Sequence, residues 1–148
     1  MIMAVSAKRL EVFEILEKVS KAQTKDERVK LLKTHECISL RDLLRGTYDD
    51  AIQWNLPEGE PPYTPNRPES VPSTLHRVHR NFKYFVKGLR ESENLNKIRR
   101  EAMFIEMLEA VHPEDAKLLL CMINKKKLPV KGLTKKLVQE VFPNLILK

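Results

Sequence analysis

Glycine is scarce in this sequence, and its scarcity excludes the classical nucleotide-binding loops. The 148 residues contain four isolated glycines, which are Gly46, Gly59, Gly88 and Gly132. The chain has neither a Gly-x-Gly-x-x-Gly fingerprint nor a Gly-x-x-x-x-Gly-Lys-Ser/Thr phosphate loop, and it has no Asp-Gly dipeptide. The function therefore rests on neither of those nucleotide-binding motifs.

Cysteine and long apolar runs are also scarce. Two cysteines, Cys37 and Cys121, favour a reducing compartment over a disulfide framework. No apolar run reaches the 18 or so residues that a membrane-spanning helix needs, and Lys8, Arg9 and Glu11 fall where a secretory signal needs an apolar core. We therefore expect a cytoplasmic protein with no membrane partner.

Charge is abundant but unevenly placed. The net charge is +7, with ten basic and nine acidic residues in 1–54, one and three in 55–73, and sixteen and eight in 74–148. The whole basic surplus therefore lies after residue 73. Such asymmetry favours a polyanionic partner, with nucleic acid ahead of an acidic membrane surface.

The apolar pattern is helical almost throughout, which predicts an all-α, compact multi-helix bundle that forms one domain over residues 1–148. Apolar positions three and four residues apart predict a first helix after Leu10, and Thr24 and Ser39 are the predicted caps of the second and third helices. Six of the nine prolines lie in 57–72. They predict a proline-rich crossing loop, 55–73, between a helical half, 1–54, and a basic helical half, 74–148.

Four more helices are predicted after this loop. Apolar residues surround most of the helix at about 96–111, which predicts a largely buried element. A helix at 113–124 starts on proline followed by two acids, and a short last helix covers about 134–141. The helix at about 73–90 is amphipathic, with a basic side formed by Arg80, Lys83, Lys87 and Arg90.

Six lysines surround a predicted turn at 125–136, just before the last helix. The free N–H groups and the dipole of a helix start attract phosphate, and glycine lets a backbone approach a sugar-phosphate strand closely. An ordinary solvated basic turn is the alternative interpretation. The residues predicted to bind nucleic acid here are Lys125, Lys126, Lys127, Lys131, Gly132, Thr134, Lys135 and Lys136, with the basic helix side at 80–90 as a second candidate.

Other chemistry-bearing residues have simpler interpretations. His76 and His79 are three residues apart, but no third ligand accompanies them, so we predict a surface role and no metal or other cofactor. Cys121 lies in an apolar run and is predicted to be a buried small hydrophobe. Tyr48 and Trp54 are predicted to pack at the end of the third helix, with base stacking as the alternative.

Two groups of short motifs, one near each end of the chain, are distinctive. The first comprises Phe13-Glu14-Ile15-Leu16-Glu17-Lys18-Val19, Thr24-Lys25, Leu31-Leu32, Leu43-Leu44 and Thr47-Tyr48. The second comprises Leu108, His112-Pro113-Glu114-Asp115-Ala116, Leu118, Lys127-Leu128, Gly132 and Val141-Phe142-Pro143-Asn144-Leu145-Ile146. Over nearly the whole chain they resemble the N-terminal DNA-binding domain of ATP-dependent DNA ligases, most closely the T-even bacteriophage type.

This resemblance implies a function. The ligase domain grips double-stranded DNA, mainly through backbone contacts across the minor groove, and the turn before its last helix is one of its contacting elements. Carried over, it implicates Lys127, Gly132 and Thr134, whereas the other lysines of the turn are included for their charge. The family's pattern differs at 129–131. The resemblance also implies a phage gene product in a bacterial host cytoplasm.

The same resemblance argues against catalysis. Ligases form a lysine-adenylate at a Lys-x-Asp-Gly motif, which this chain lacks. We therefore expect a non-catalytic protein that binds duplex DNA, intact or nicked, with little sequence preference. One alternative is a phage protein-interaction or virion-associated adaptor that kept the fold without DNA binding and contacts a phage or host protein through its proline-rich loop, near Trp54 and Tyr63. Another is the DNA-binding piece of a split ligase.

Overall fold

The computed structural model describes residues 10–69 and 71–146, so Lys8 and Arg9 lie outside the described residues. Within these ranges the chain is all-α, as predicted, and its only β-type pairing is an isolated bridge between Trp54 and Val86. None of the described helices is long and apolar enough to cross a membrane. The helices are α1 Val12–Lys21, α2 Lys25–Thr34, α3 Ile38–Tyr48, α4 Leu75–Val78, a 3₁₀ helix His79–Phe85, α5 Arg90–Glu93, α6 Lys97–Ala110, α7 Pro113–Ile123 and α8 Lys135–Val141.

The first two helices begin where the sequence predicts. The side chain of Thr24 accepts a hydrogen bond from the backbone N–H of Glu27 at 3.2 Å, which caps α2. The predicted cap of α3 is wrong, because that helix begins at Ile38, one residue before Ser39. Ser39 is buried in the first turn, and its hydroxyl hydrogen-bonds Nδ1 of His76 at 2.6 Å.

The single helix predicted at 73–90 is wrong. The chain forms one turn of α4, tightens into the 3₁₀ helix, and then becomes extended so that Val86 pairs with Trp54. Gly88 follows with φ of +90°, a conformation that ends helical structure and that glycine adopts without strain. Local apolar periodicity does not predict this long-range pairing with Trp54. As a result, the four basic residues predicted on one helix side are separated, which is a correction: Arg80 and Lys83 lie on the 3₁₀ helix, Lys87 lies in the turn after it, and Arg90 begins α5.

Helix α6 begins as predicted but is less buried than predicted. The side chain of Asn96 caps it by accepting from the N–H of Arg99 at 2.7 Å. Ile98, however, is 82% exposed, whereas Arg100 is buried. The Arg100 guanidinium donates to backbone carbonyls of three preceding residues, Asn55, Ser92 and Leu95. A buried cation needs such partners, and one of them, the Asn55 carbonyl, comes from a segment distant in sequence.

The remaining two helices confirm their predicted starts. Pro113 opens α7, and the hydroxyl of Thr134 caps α8 by accepting from the N–H of Leu137 at 3.1 Å. The predicted proline-rich crossing loop is irregular and packs along α6 and the end of α7. Its contacts include Ser73 N to Ala110 O, Thr64 N to Glu109 Oε2, and Gly59 N to Asn124 Oδ1.

One hydrophobic core combines side chains from both halves of the chain. Helix α3 packs on α7, and their contact is close because Gly46 has no side chain. A Cβ there would lie 2.6 Å from the Trp54 ring and 2.8 Å from the Met122 sulfur. Trp54 and Tyr48 are both 8% exposed, so the predicted packing role is confirmed. The Trp54 indole N–H donates to the Gly46 carbonyl at 3.0 Å, which joins the loop to the end of α3.

Candidate nucleic-acid interface

The predicted basic turn exists, and buried apolar side chains hold it in place. We use the name basic turn for residues 125–136, which run from the end of α7 into the first turn of α8. Leu128, Val130 and Leu133 are each 6% exposed or less, so the turn is pinned to the core at three points. The intervening polar positions are forced outward. The exposed residues are Lys126, Lys127, Pro129, Lys131, Gly132, Thr134, Lys135 and Lys136.

Two further contacts fix the backbone of the basic turn. The Leu128 N–H donates to the Tyr48 hydroxyl at 3.2 Å, and the Lys131 N–H donates to the Ser20 hydroxyl at 3.1 Å. These partners come from α3 and α1, so the turn is held from both sides. A fixed backbone presents its lysines at fixed positions, which lowers the entropy lost when a ligand binds.

Lys125 differs from the other lysines of the basic turn. It has φ of +54°, and its ammonium donates to the carbonyls of Gly46 at 2.8 Å and Asp49 at 2.7 Å. It therefore satisfies carbonyls at the end of α3, where a helix leaves acceptors without internal partners. Burial lowers the pKa of its ammonium from the ordinary value, although Asp49 and Asp50 oppose that shift. Its charge is thus used within the protein.

Lys135 has a partner, but a weak one. Its ammonium lies 3.0 Å from the Asp50 carboxylate, and the side chain of Asp50 is 87% exposed. Ion pairs between exposed side chains typically contribute about 0–1 kcal/mol. A phosphate can therefore replace Asp50 as the partner of Lys135.

Gly132 is required for a reason that the sequence did not show. Its φ is +80°, and an added Cβ would overlap the guanidinium of Arg28. Arg28 projects from α2 and donates to the Ala22 carbonyl at 3.2 Å. The side of Gly132 where the sequence predicted a close approach of DNA is filled by Arg28. Arg28 was missed because nothing in the polar pattern of α2 distinguishes it from its neighbours.

The fold separates the four basic residues at 80–90, which the sequence predicted as a second surface for nucleic acid. Arg80, Lys83, Lys87 and Arg90 are all exposed. Arg80 and Lys83 line a groove of about 440 Å³ together with Arg45, which the sequence did not single out. Lys87 instead borders a separate depression beside Lys97 and Arg100.

The two histidines are structural, so their predicted surface role is wrong. His76 is held by Ser39 and by the Leu10 carbonyl, at 2.6 and 2.8 Å. His79 Nδ1 lies 2.6 Å from the Asp42 carboxylate. Both are partly buried and tie the α4 region to α3. The part of the chain that the structure describes contains no group of three or more side chains arranged to hold a metal ion.

The other reactive groups are the two cysteines and one buried acid. Cys37 and Cys121 are free thiols and are only partly buried, so Cys121 is less buried than predicted. Asp115, in the first turn of α7, is fully buried. Burial, together with the nearby Glu11 carboxylate, raises the pKa of its carboxyl to about 7. Asp115 was predicted only as a helix-start acid, because its burial depends on the packing of α1 against α7.

The fold and this basic turn define an all-α protein with an exposed lysine cluster. The chain belongs to a Family of unknown function (DUF6433), whose family model matches residues 15–129. The match ends within the basic turn, before α8. No curated protein and no solved structure matches the chain.

Proposed function

We propose that this protein is a non-catalytic double-stranded DNA-binding protein with little sequence preference, and that the basic turn is its contact surface. One observation carries the proposal. Four exposed lysines, Lys126, Lys127, Lys131 and Lys136, surround a turn whose backbone is fixed by buried apolar side chains. No acidic side chain lies within 4 Å of their ammonium groups in the described part of the chain.

The proposed mechanism is neutralisation of backbone phosphates. Each lysine that contacts a phosphate releases condensed counterions, so affinity falls steeply as salt rises. The four lysines and Lys135 give about five contacts and a log–log salt slope of roughly −4 to −5. Phosphate contacts position a protein on DNA but carry no base information, which accounts for the proposed lack of sequence preference.

Two features of the sequence support the proposal. The basic surplus lies entirely after residue 73, and the likeness to the ligase DNA-binding domain places a DNA-contacting turn before the last helix. The chain lacks Lys-x-Asp-Gly, so the proposal includes no adenylation chemistry. We further propose that the protein acts in the cytoplasm, and the same likeness favours a phage protein in a bacterial host.

A pair of matched charge reversals tests the surface. Lys126→Glu with Lys127→Glu changes two exposed lysines of the basic turn. Arg67→Glu with Arg77→Glu makes the same change in net charge at two exposed residues outside the basic turn. Binding of labelled intact, nicked and single-stranded DNA should weaken strongly in the first variant and little in the second. Equal losses in both variants would show that only net charge matters, and unchanged binding in the first would remove the basic turn from the site.

A protein-interaction adaptor is the second candidate, and a cavity favours it. The proline-rich loop and α6 enclose about 140 Å³ lined by Leu56, Pro61, Pro62 and Phe104, among others. A partner seated there would remain bound after nuclease treatment. Loss of that partner on Pro61→Ser with Pro62→Ser, together with no DNA binding by the purified protein, would favour the adaptor over our first proposal.

A further inference from the structure

We propose that the groove between the end of α3 and the 3₁₀ helix is a docking site for an acidic, amphipathic segment of another protein. The groove has a volume of about 440 Å³, which lies within the range of about 300–1,000 Å³ that is usual for ligand sites. It is separate from the proline-rich loop cavity and from the basic turn, and it does not depend on DNA binding.

The floor of the groove is apolar and firmly placed. Ile52, Trp54 and Val86 line it, and the pairing of Trp54 with Val86 fixes two of these residues relative to each other. The Trp54 and Phe82 rings are perpendicular to each other, with the centroids 6.0 Å apart. Leu89 lies at the same groove and is 41% exposed, which is unusual for a large apolar side chain in this protein. The groove therefore exposes an apolar surface that a partner's side chain can cover.

The border of the groove is positive. Arg45, Arg80 and Lys83 contribute three cations. Asp42 is the one carboxylate among the lining residues, and it is already engaged by His79 at 2.6 Å. Arg45 is 3.6 Å from a carboxylate oxygen of the buried Asp49, whereas no acidic side chain within the described residues lies within 4 Å of Arg80 or Lys83. A partner that brings carboxylates therefore meets a surface of complementary charge.

These two properties together favour a peptide over a nucleic acid. Single-stranded nucleic acids bind by stacking bases on exposed aromatic rings, but Trp54 is only 8% exposed and offers no free face. A duplex backbone has phosphates for the cations but nothing apolar to cover Leu89. A segment with one or two large apolar side chains between Asp or Glu residues satisfies both the floor and the border. Such segments commonly lay their apolar side into a groove of this kind.

The single tryptophan of the chain is the reporter for the test. Because Trp54 lines the groove, its emission should respond to an occupant. The probes are short tryptophan-free peptides in which Phe and Leu are flanked by Asp and Glu. One matched set replaces the apolar residues with Ser, and another replaces the acids with Lys. The acidic amphipathic set should change the Trp54 emission saturably, at least about tenfold more tightly than either matched set.

Variants then locate the site. Arg80→Glu with Lys83→Glu should weaken the peptide about tenfold or more, and Leu89→Ser should weaken it without a change of charge. Lys126→Glu with Lys127→Glu should leave it unchanged. All of these side chains are exposed, and circular dichroism checks that the variants fold.

Three results would overturn the proposal. One is the absence of a saturable response to any acidic amphipathic peptide. Another is an equal response to the peptides that carry Ser in place of the apolar residues, since this would reduce the groove to a nonspecific cationic surface. The third is a Trp54 response to duplex DNA that depends on Arg80 and Lys83, because the groove would then belong to a nucleic-acid site.

Discussion

The basic turn displays lysines and the groove displays two arginines and a lysine, but the apolar residues beside these cations are arranged differently. In the basic turn, Leu128, Val130 and Leu133 are buried in the core, and most of the exposed side chains are lysines. In the groove, the cations surround an apolar floor that remains partly exposed at Leu89. The first arrangement suits a ligand that is purely anionic, such as a phosphate backbone. The second suits a ligand that is both anionic and apolar, so exposed apolar surface separates two sites that charge alone would group together.

The two regions share one structural joint, the end of α3. The Gly46 carbonyl accepts from the Lys125 ammonium at 2.8 Å and from the Trp54 indole at 3.0 Å. Lys125 begins the basic turn, and Trp54 forms the floor of the groove. Substitutions at this joint should affect both regions, whereas substitutions on either side should separate them.

The largest expected change in stability comes from the titration of Asp115. This residue lies outside both regions and serves as a reference. The pKa of its carboxyl is about 7 in the folded protein against 3.8 ordinarily, so the folded state binds more protons between these values. Stability should therefore fall as pH rises from about 4 to about 7, by up to roughly 4 kcal/mol from this group. Urea unfolding across pH measures the change.

The control for that experiment is Asp115→Asn, which removes the titrating group. The variant should flatten this part of the pH profile and leave DNA binding at the basic turn unchanged. A wild-type stability that rises through the same pH window and is equally steep in the variant would contradict the assignment.

Gly46→Val should disrupt both regions at once. A Cβ at this position collides with Trp54 and Met122, so we expect a loss of about 3 kcal/mol from overpacking. Ile38→Ala, in the same helix but at a side chain that is 65% exposed, should change stability by only about 0.5 kcal/mol. Chemical denaturation distinguishes them, and equal stability of the two variants would show that the α3–α7 contact is looser than described.

Two glycines with similar backbone conformations provide a sharper comparison. Gly132 in the basic turn and Gly88 beside the groove have φ of +80° and +90°, but an added Cβ meets Arg28 only at Gly132. Gly88→Ala should cost about 1 kcal/mol from backbone strain alone. Gly132→Ala should cost about 2–3 kcal/mol, because strain and the displacement of Arg28 add. Equal costs in thermal unfolding would show that Arg28 moves aside freely.

The smallest expected change in stability distinguishes two adjacent lysines, Lys125 and Lys126. Lys125→Met removes the donor that satisfies two carbonyls at the end of α3, and we expect a loss of about 1–2 kcal/mol. Lys126→Met should change stability by no more than about 0.5 kcal/mol, since its side chain is exposed. DNA affinity should respond in the opposite order, with the larger loss in the Lys126 variant. A reversed order in either measurement would place the two side chains differently.

Local signals predicted much of this fold. The cap at Thr24 and the proline at the first position of α7 located two helix starts, because these are short-range hydrogen-bond and backbone effects. The basic turn was found for a similar reason, since its lysines are close together in sequence. The sequence could not show which lysines have partners within the protein. The partners of Lys125, for example, lie some eighty residues earlier.

The features that the sequence did not predict share a cause, because each depends on contacts between segments that are distant in sequence. The predicted helix at 73–90 breaks because Val86 pairs with Trp54 across the crossing loop. Arg100 is buried because carbonyls of the crossing loop and the α5 region surround it, and Arg28 supports Gly132 from another helix. The groove could not be predicted, because it exists only once the end of α3 and the 3₁₀ helix are adjacent.

The dependence of duplex DNA binding on salt tests the central claim most directly. Fluorescence anisotropy with a labelled duplex should give a log–log slope of roughly −4 to −5 for the wild-type protein. Each exposed lysine of the basic turn that is changed to Gln should make the slope shallower by about 1, whereas Arg67→Gln should leave it unchanged. Absence of salt-sensitive binding near physiological ionic strength, or a slope that is insensitive to Lys126, Lys127 and Lys131, would contradict the account.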